Sequence, residues 1–381
     1  MKYYIIAGEA SGDLHGANLV AALRRRDREA EIRYWGGDRM KQAVGEDGSM
    51  VRHIRDLAIM GIVEVVSHLG TVIGNISFCK RDIQAFDPDV VVFIDYPGFN
   101  LKIAKYTHKK GYRNVYYISP QVWAWKKGRL RSMRHDLDKL CYILPTEQKF
   151  YKPGVMPQAV YVGHPLLDEV ERYRQEGQGE GPLLNDAGGK EVRKTVAILP
   201  GSRKMELGRM LPVMVRVAER HPDYRFIVAG MSLIGEEFYN RYIPAGCGNV
   251  EIVYDRTYDI LAASHAALVC SGTATLETAL FKVPQVVCYQ CNKLSAAIAR
   301  VLIGDSIKYI SLVNLIADAP VVAELIQGDF NVERLDLEFN KICGESRQQI
   351  LEGYERVDEL LGGKGASDRT ADIVIRQARE K

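Results

Sequence analysis

The chain has 381 residues, of which 47% are hydrophobic and 26% charged, with a net charge of +3. These values are typical of a soluble globular protein of two domains, and the small net charge does not by itself indicate a nucleic-acid binder. No apolar run approaches the roughly 20 residues that span a bilayer, and the first apolar run is too short for a signal peptide, so we expect a cytoplasmic protein.

The chain begins with an apolar run, Tyr3–Ala7, that predicts a buried strand followed by a turn and a helix over Gly16–Arg26. The turn lacks the G-x-G-x-x-G pattern of dinucleotide-binding loops, which disfavours an NAD-dependent oxidoreductase. It carries instead two carboxylates, Glu9 and Asp13.

Short β-branched runs alternate with helical stretches along the rest of the chain. Unbroken apolar strands of this kind are typical of parallel sheets covered by helices, so we predict an α/β protein with two doubly wound, Rossmann-like domains facing a central cleft. The glycine-rich, charged stretch 173–194 predicts the linker between a domain over 1–172 and a domain over 195–354. The predicted strands are Tyr3–Ala7, Ile32–Trp35, Val90–Ile94, Val115–Ile118, Leu140–Leu144, Val196–Leu199, Arg225–Ala229, Val250–Ile252, Ala267–Val269 and Gln285–Cys288.

The segment 57–76 is apolar, spaced by glycines and poor in charge. It fits a core helix, and it also fits a segment that dips into a bilayer or holds acyl chains. The residues alone favour the core helix.

A buried strand over Val90–Ile94 ends in Asp95, followed by a Pro-Gly turn. A carboxylate at this end of a parallel strand is partly desolvated, which raises its pKa and makes it a better general base. The alternative is an Asx-turn cap. Together with Glu9 and Asp13, it predicts an acidic site for a hydroxyl that must lose a proton.

The stretch 121–134 combines two tryptophans with five basic residues. Such a pattern suits RNA, an anionic membrane or a phosphorylated lipid. A solvated helix face explains the charges equally well.

Two strand ends in the second half predict a diphosphate site. Gly201, Ser202 and Arg203 follow one strand, where glycine permits close approach and arginine suits phosphate. A second strand runs into a hydroxyl-rich helix start, whose free N–H groups favour an anion, with Glu277 placed for ribose hydroxyls. A tight turn and a capping box are the alternatives. The residues of this second loop are Ser271, Gly272, Thr273, Ala274 and Thr275.

The ordered motifs resemble those of the lipid-A-disaccharide synthase family, inverting glycosyltransferases of the two-Rossmann GT-B fold. The motifs are AGEASGD, LAIMGIVEV, FIDYPGFN, SPQVWAW, GHPL, LPGSR and SGTATLE. The resemblance implies condensation of UDP-2,3-diacylglucosamine with 2,3-diacylglucosamine 1-phosphate to lipid A disaccharide 1-phosphate and UDP, with no metal and no cofactor.

The resemblance also assigns roles to residues. It implies Asp95 as the base, with Asp13 and Glu9 as rivals or orienting groups, and UDP binding by the two loops of the second half. Polar contacts to donor and acceptor are implied for Ser11, Asn100, Gln121, Asn314 and Gln327. The resemblance also reverses the preference for a core helix at 57–76. It implies contacts with the membrane or with acyl chains for Met60, Ile62, Val63, Val65, Val66 and Leu69.

The family further implies a cytoplasmic protein associated peripherally with the inner membrane. The last helix, about 355–381, is expected to return to the first domain or to reach a neighbouring subunit of a homodimer. One departure is Gly98, where many members carry a second acid. If that position is the catalytic one, Asp95 is not the base, and Asp13 or Glu9 becomes the stronger candidate. The rival functions are a UDP-N-acetylglucosamine 2-epimerase and an RNA-binding protein.

Overall fold

A computed structural model shows two compact units, Met1–Asp168 with Gly363–Lys381, and Glu169–Gly362. The structure describes residues 1–46, 48–57, 69–120, 129–176, 193–244, 246–291 and 308–380. Each unit contains a parallel sheet whose strands are connected by helices, which confirms the predicted α/β class with two doubly wound domains.

The first unit has a sheet of seven strands among the described residues, in the order β3-β2-β1-β4-β5-β6-β7. The strands are β1 Lys2–Ala7, β2 Glu31–Gly36, β3 Ser49–His53, β4 Val90–Ile94, β5 Arg113–Tyr117, β6 Lys139–Tyr142 and β7 Ala159–Tyr161. The helices are α1 Ala10–Arg26, α2 Asp38–Val44, α3 Leu69–Phe86, α4 Pro97–Lys109, α5 Arg129–Asp136 and the C-terminal α14 Ala366–Arg379, with 3-10 turns at Ile54–Asp56 and Pro145–Lys149. Helix α6, Leu166–Glu176, carries the chain into the second unit.

The second unit has a sheet of six strands within the described ranges, in the order β10-β9-β8-β11-β12-β13. The strands are β8 Lys194–Leu199, β9 Tyr224–Gly230, β10 Val250–Tyr254, β11 Ser264–Cys270, β12 Gln285–Tyr289 and β13 Ala323–Ile326. The helices are α7 Lys204–Arg220, α8 Glu236–Asn240, α9 Thr257–Ala263, α10 Thr273–Leu280, α11 Leu312–Ala317, α12 Val332–Cys343 and α13 Arg347–Leu361, with a 3-10 turn at Gln327–Asp329.

The ten predicted strands all exist, with ends that differ by a few residues. The three strands that the sequence pattern missed, β3, β7 and β13, each lie at the edge of a sheet. Edge strands are short and only half covered, so they lack the unbroken apolar run that marks a central strand.

The C-terminal helix α14 packs against α1 of the same chain. Its buried face includes Thr370, Ala371 and Val374, and Arg26 Nε lies 2.6 Å from Asp372 Oδ1 at the edge of the contact. The segment that belongs to the first unit starts at Gly363, whereas the sequence placed it at about 355. That earlier position falls inside α13, a continuous helix of the second unit.

No helix in the described part of the chain combines the length and the apolar character needed to cross a bilayer. The predicted contacts of Met60, Ile62, Val63, Val65 and Val66, and of Gln121, lie outside the described residues. Leu69 begins α3, and on the exposed side of that helix Ile73 leaves 57% of its surface in solvent.

Candidate active site

The first unit brings the predicted acidic loops together at its topological switch point. Strand β1 pairs with β2 on one side and with β4 on the other, with Ala7 opposite Ile94. The loops that follow β1 and β4 therefore leave the sheet side by side, at the edge where open α/β sheets bind ligands. The ring of Tyr96 fills the space beside Gly8, where a Cβ would lie 2.3 Å from Tyr96 Cδ1.

Asp95 sits in an unusual backbone conformation directly after β4. Asp95 and Tyr96 have φ values of 44° and 50°, the left-handed region that residues other than glycine rarely adopt. The surrounding structure holds them there: Asn100 Nδ2 and the Tyr116 hydroxyl donate to the Asp95 carbonyl at 2.8 and 2.5 Å. Strain that is fixed in this way clusters at functional sites.

The environment of the half-buried Asp95 side chain suits a general base. Burial, followed by the charge of Glu9, raises the pKa of Asp95 to about 6, against the opposing effect of the Tyr96 backbone N–H. A carboxylate with this pKa is ionised at neutral pH and more basic than an ordinary aspartate. Glu9 itself is exposed at the N-cap of α1, and its side chain makes no capping bond.

Asp13 has a structural role in this unit. Its side chain is buried, and it accepts hydrogen bonds from the backbone N–H groups of Gly37, Arg39 and Met40 at 2.6, 3.1 and 3.0 Å. The carboxylate thereby caps the start of α2. Because its oxygens are occupied by backbone donors, we do not retain Asp13 as a candidate base.

The other polar residues predicted for this site differ in how they are used. Asn100 is fully buried and donates to the carbonyls of Ile6 and Ile94, at the ends of β1 and β4, so it fixes the backbone on which Asp95 stands. Ser11 is half-buried in the first turn of α1. Gly98 is exposed in the first turn of α4, and a Cβ there would meet nothing within 4 Å.

A buried acid that the sequence analysis missed belongs to the same edge of the sheet. Glu147 is 1% exposed in the 3-10 turn after β6, where it accepts from Ser119 Oγ at 2.6 Å and from the Leu144 N–H at 3.2 Å. Burial raises its pKa to about 7, and the charge of Asp95 adds to the rise. The available signal was an acid shortly after an apolar strand: Glu147 comes three residues after the predicted strand end at Leu144, whereas Asp95 follows its strand directly.

The second unit places its two predicted loops at the corresponding switch point. Strand β8 pairs with β9 and with β11, so Gly201–Arg203 and Ser271–Thr275 follow neighbouring strands. Gly201 has a φ of 106°, and a Cβ there would lie 2.8 Å from Glu206 Oε2 and 3.4 Å from Cys270 Sγ. Only glycine fits such a turn without strain. Ser202 and Arg203 are exposed, and Arg203 is the N-cap of α7.

In the loop after β11, the hydroxyls of Ser271 and Thr275 are engaged within the unit, and the backbone N–H groups of Gly272, Thr273 and Ala274 form the helix start. Ser271 Oγ donates to the Ile310 carbonyl at 3.0 Å, and Thr275 Oγ1 donates to the Gly272 carbonyl at 2.8 Å. Gly272, the N-cap of α10, has no side chain to cap the helix, and Thr273 is exposed. This arrangement favours an anion at the helix start. Glu277, in the second turn, accepts from the Tyr258 hydroxyl at 2.9 Å.

Asn314 and Gln327 are engaged within the second unit. The Asn314 amide donates to the Val322 carbonyl and to Glu324 Oε1, both at 2.9 Å, and accepts from the Val322 N–H at 3.0 Å. The Gln327 amide, in the orientation that satisfies both of its groups, bonds the backbone of Cys291 in both directions at 3.2 Å. Both side chains thus order the loops around β13.

The sequence matches the family model of lipid-A-disaccharide synthetase over residues 3–373. Lipid-A-disaccharide synthase of Syntrophus aciditrophicus is 42% identical over 380 residues, which cover 97% of this chain and 96% of that protein. The same enzyme of Geobacter sulfurreducens is 35% identical over 383 residues, with 98% of this chain and 96% of that protein covered.

Solved structures with the same fold are far more distant in sequence. UDP-GlcNAc 2-epimerase from Neisseria meningitidis, bound to UDP-GlcNAc, has a TM-score of 0.64 at 12% identity, with both chains fully covered. The kitacinnamycin glycosyltransferase has a TM-score of 0.64 at 14% identity, with 99% of this chain and 98% of that chain covered. At these identities the likeness concerns the fold alone.

Proposed function

The chain belongs to the lipid-A-disaccharide synthase family, and we propose that it joins UDP-2,3-diacylglucosamine to 2,3-diacylglucosamine 1-phosphate. The products are lipid A disaccharide 1-phosphate and UDP. The single observation that carries this proposal is Asp95, a carboxylate with a raised pKa, held in a strained backbone at a sheet switch point. A hydroxyl nucleophile needs such a base.

We assign the chemical step as follows. Asp95 accepts the proton of the acceptor 6-hydroxyl while that oxygen attacks the anomeric carbon of the donor. The new bond forms on the face opposite the nucleotide, and the bond between the anomeric carbon and the diphosphate oxygen breaks, so the electron pair leaves with UDP. Attack from the opposite face inverts the anomeric centre. Glu9 tunes this base through its charge, since it is one cause of the raised Asp95 pKa.

The second unit is assigned to the leaving group. Negative charge grows on the diphosphate as the bond breaks, and preorganised N–H groups and cations stabilise such charge. The candidates are the backbone N–H groups at the start of α10, the turn at Gly201 and the guanidinium of Arg203, with Glu277 for the ribose. These fixed groups supply the positive charge that a metal ion provides elsewhere, so we propose that the reaction needs no metal.

Association with the cytoplasmic side of the inner membrane is part of the proposal. Both proposed substrates carry acyl chains, and the apolar sequence of 57–76 suits contact with them. The segment from Met60 to Leu69 is assigned to this contact.

Incubation with the two acylated sugars tests the proposed function. We expect UDP release that requires both substrates, a disaccharide 1-phosphate product with a β linkage by NMR, and an unchanged rate in EDTA. UDP release without acceptor, or conversion of UDP-N-acetylglucosamine to its 2-epimer, would contradict the proposal. A metal requirement would contradict the assignment of the leaving-group site alone.

A further inference from the structure

Three side chains able to bind a metal meet on the first unit, away from the candidate active site. They are His108, near the C-terminal end of α4, and His135 and Asp136, the last two residues of α5. Their ligand atoms all lie within 4.8 Å of one another, the one such group among the described residues. We propose that these side chains bind a divalent transition-metal ion, with Zn²⁺ as the reference ion, and so join the ends of the two helices.

The distances are compatible with a metal after small side-chain movements. His135 Nδ1 lies 2.8 Å from Asp136 Oδ1, and the rings of His108 and His135 have centroids 4.7 Å apart. Tetrahedral zinc, with ligands at about 2.0–2.1 Å, sets its donors about 3.4 Å apart. The side chain of His135 is 70% exposed and free to adjust, whereas that of Asp136 is 6% exposed and fixed.

A buried hydrogen-bond network holds the two ligand-bearing segments in register. Thr107, beside His108, donates to Asn114 Oδ1 at 2.8 Å, and Asn114 Nδ2 donates to the Asp136 carbonyl at 2.8 Å. Both Thr107 and Asn114 are fully buried. The backbone next to each ligand is therefore fixed before any ion arrives, which lowers the cost of assembling the site.

The carboxylate is also oriented from behind. Ser132 Oγ donates to Asp136 Oδ2 at 2.8 Å, which directs Oδ1 toward His135. Supporting bonds of this kind are typical of metal sites, where they fix the direction of the ligand.

The donor set selects the class of ion. Two imidazoles and one carboxylate suit Zn²⁺, Co²⁺, Ni²⁺ or Cu²⁺, whereas Mg²⁺ and Ca²⁺ prefer oxygen ligands alone. The ligands stand at the C-terminal ends of two helices, where the helix dipole favours a cation. Lys109, Lys110 and Arg134 are sequence neighbours of the ligands, and their positive charges oppose the binding of a cation. We therefore expect a lower affinity for the ion than that of a closed four-ligand site.

The site is independent of the proposed reaction. His108 precedes β5 and Asp136 precedes β6, so both lie toward the amino ends of these strands. Asp95 follows β4 at the carboxyl edge of the same parallel sheet. The ion is therefore expected to stabilise the junction of α4 and α5 and to leave the transfer rate unchanged.

Metal titration of the untagged, chelator-stripped full chain tests the proposal. By calorimetry and equilibrium dialysis we expect one Zn²⁺ per chain, a higher midpoint of thermal unfolding with Zn²⁺, and no binding of Mg²⁺. His108→Gln and His135→Gln should each weaken Zn²⁺ binding at least tenfold while circular dichroism stays that of the parent, and Asp136→Asn provides a third variant.

His221→Gln is the matched control, because His221 Nε2 lies 2.6 Å from Asp336 Oδ1 in a histidine–carboxylate pair outside the cluster. This variant should bind Zn²⁺ like the parent. The proposal is overturned if the parent binds no Zn²⁺, or if both histidine variants of the cluster bind it with parental affinity, as they would if cysteine thiols held the ion.

Discussion

Asp13 Oδ1, in the first turn of α1, accepts a hydrogen bond at 2.6 Å from the backbone N–H of Gly37, the N-cap of α2. The sequence placed Asp13 beside Glu9 and Asp95 in one acidic site. The structure directs its carboxylate at the first turn of α2 instead. This contact gives Asp13 a structural role and leaves Asp95 as the proposed base, so the two roles can be tested separately.

Asp13→Asn should reduce stability and leave the chemistry intact. In the parent, Asp13 Oδ2 accepts a hydrogen bond from the Arg39 N–H. The asparagine amide retains one acceptor oxygen but places an NH₂ group, which is a donor, against that N–H. We expect the free energy of unfolding in urea to fall by about 1–3 kcal/mol. Turnover per folded molecule should stay close to that of the parent. A large loss of turnover at unchanged stability would return Asp13 to the chemistry.

Asp95→Asn should have the opposite effect. Removal of a general base typically costs about 10²–10⁴-fold in rate, so we expect kcat to fall by that factor in the two-substrate assay. UDP affinity, measured by calorimetry, should change little, because the diphosphate is assigned to the second unit. Asp13→Asn serves as the control acid-to-amide change. A variant with parental kcat would exclude Asp95 as the base.

The pH profile should report the Asp95 carboxylate. Because a base acts only when ionised, kcat/KM should fall about tenfold per pH unit below its pKa of about 6. The negative charge of Glu9 raises that pKa, so Glu9→Gln should move the acid limb to lower pH. A limb that stays in place, or moves to higher pH, would show that Glu9 does not act on the base.

Arg203→Ala should weaken UDP binding. A hydrogen bond to a charged group contributes about 1.5–3 kcal/mol, and Arg203 is exposed, so we expect the low end, a loss of about 10-fold in affinity that shrinks as salt is added. Arg220→Ala is the matched control at the other end of α7, where Arg220 pairs with Glu333 and Asp336. Equal losses in both variants would argue against a phosphate contact at Arg203.

Glu147→Gln should change how stability depends on pH. The pKa of Glu147 rises from an ordinary 4.5 to about 7 in the folded chain, so folding favours its protonated form. The parent therefore loses this contribution as pH rises from about 4.5 to about 7. Glutamine cannot ionise, so the stability of the variant relative to the parent should increase across that window. Parallel urea-unfolding curves at pH 5 and pH 8 for the two proteins would contradict this expectation.

The sequence by itself determined the central strands and the loops that follow them, because both depend on local signals. An unbroken apolar run such as Val90–Ile94 identifies a strand buried on both faces, and the polar residues after it fall at the carboxyl edge of a parallel sheet. Asp95 and the loop at Gly201 were found in this way. The order of the motifs along the chain was enough to indicate the family.

Only the tertiary structure decided which polar groups are engaged, since their partners are distant in sequence. The donors to Asp13 come from the start of α2, and the hydroxyl that donates to Glu147 belongs to Ser119, just after β5. The Asn314 amide is bonded to the backbone of Val322, just before β13. The same holds for the pair of His108 and His135, which meet because α4 and α5 pack side by side. Local sequence patterns therefore predict which side chain lies at a given place in the fold. The hydrogen-bond donors and charges around that side chain depend on how the whole unit packs.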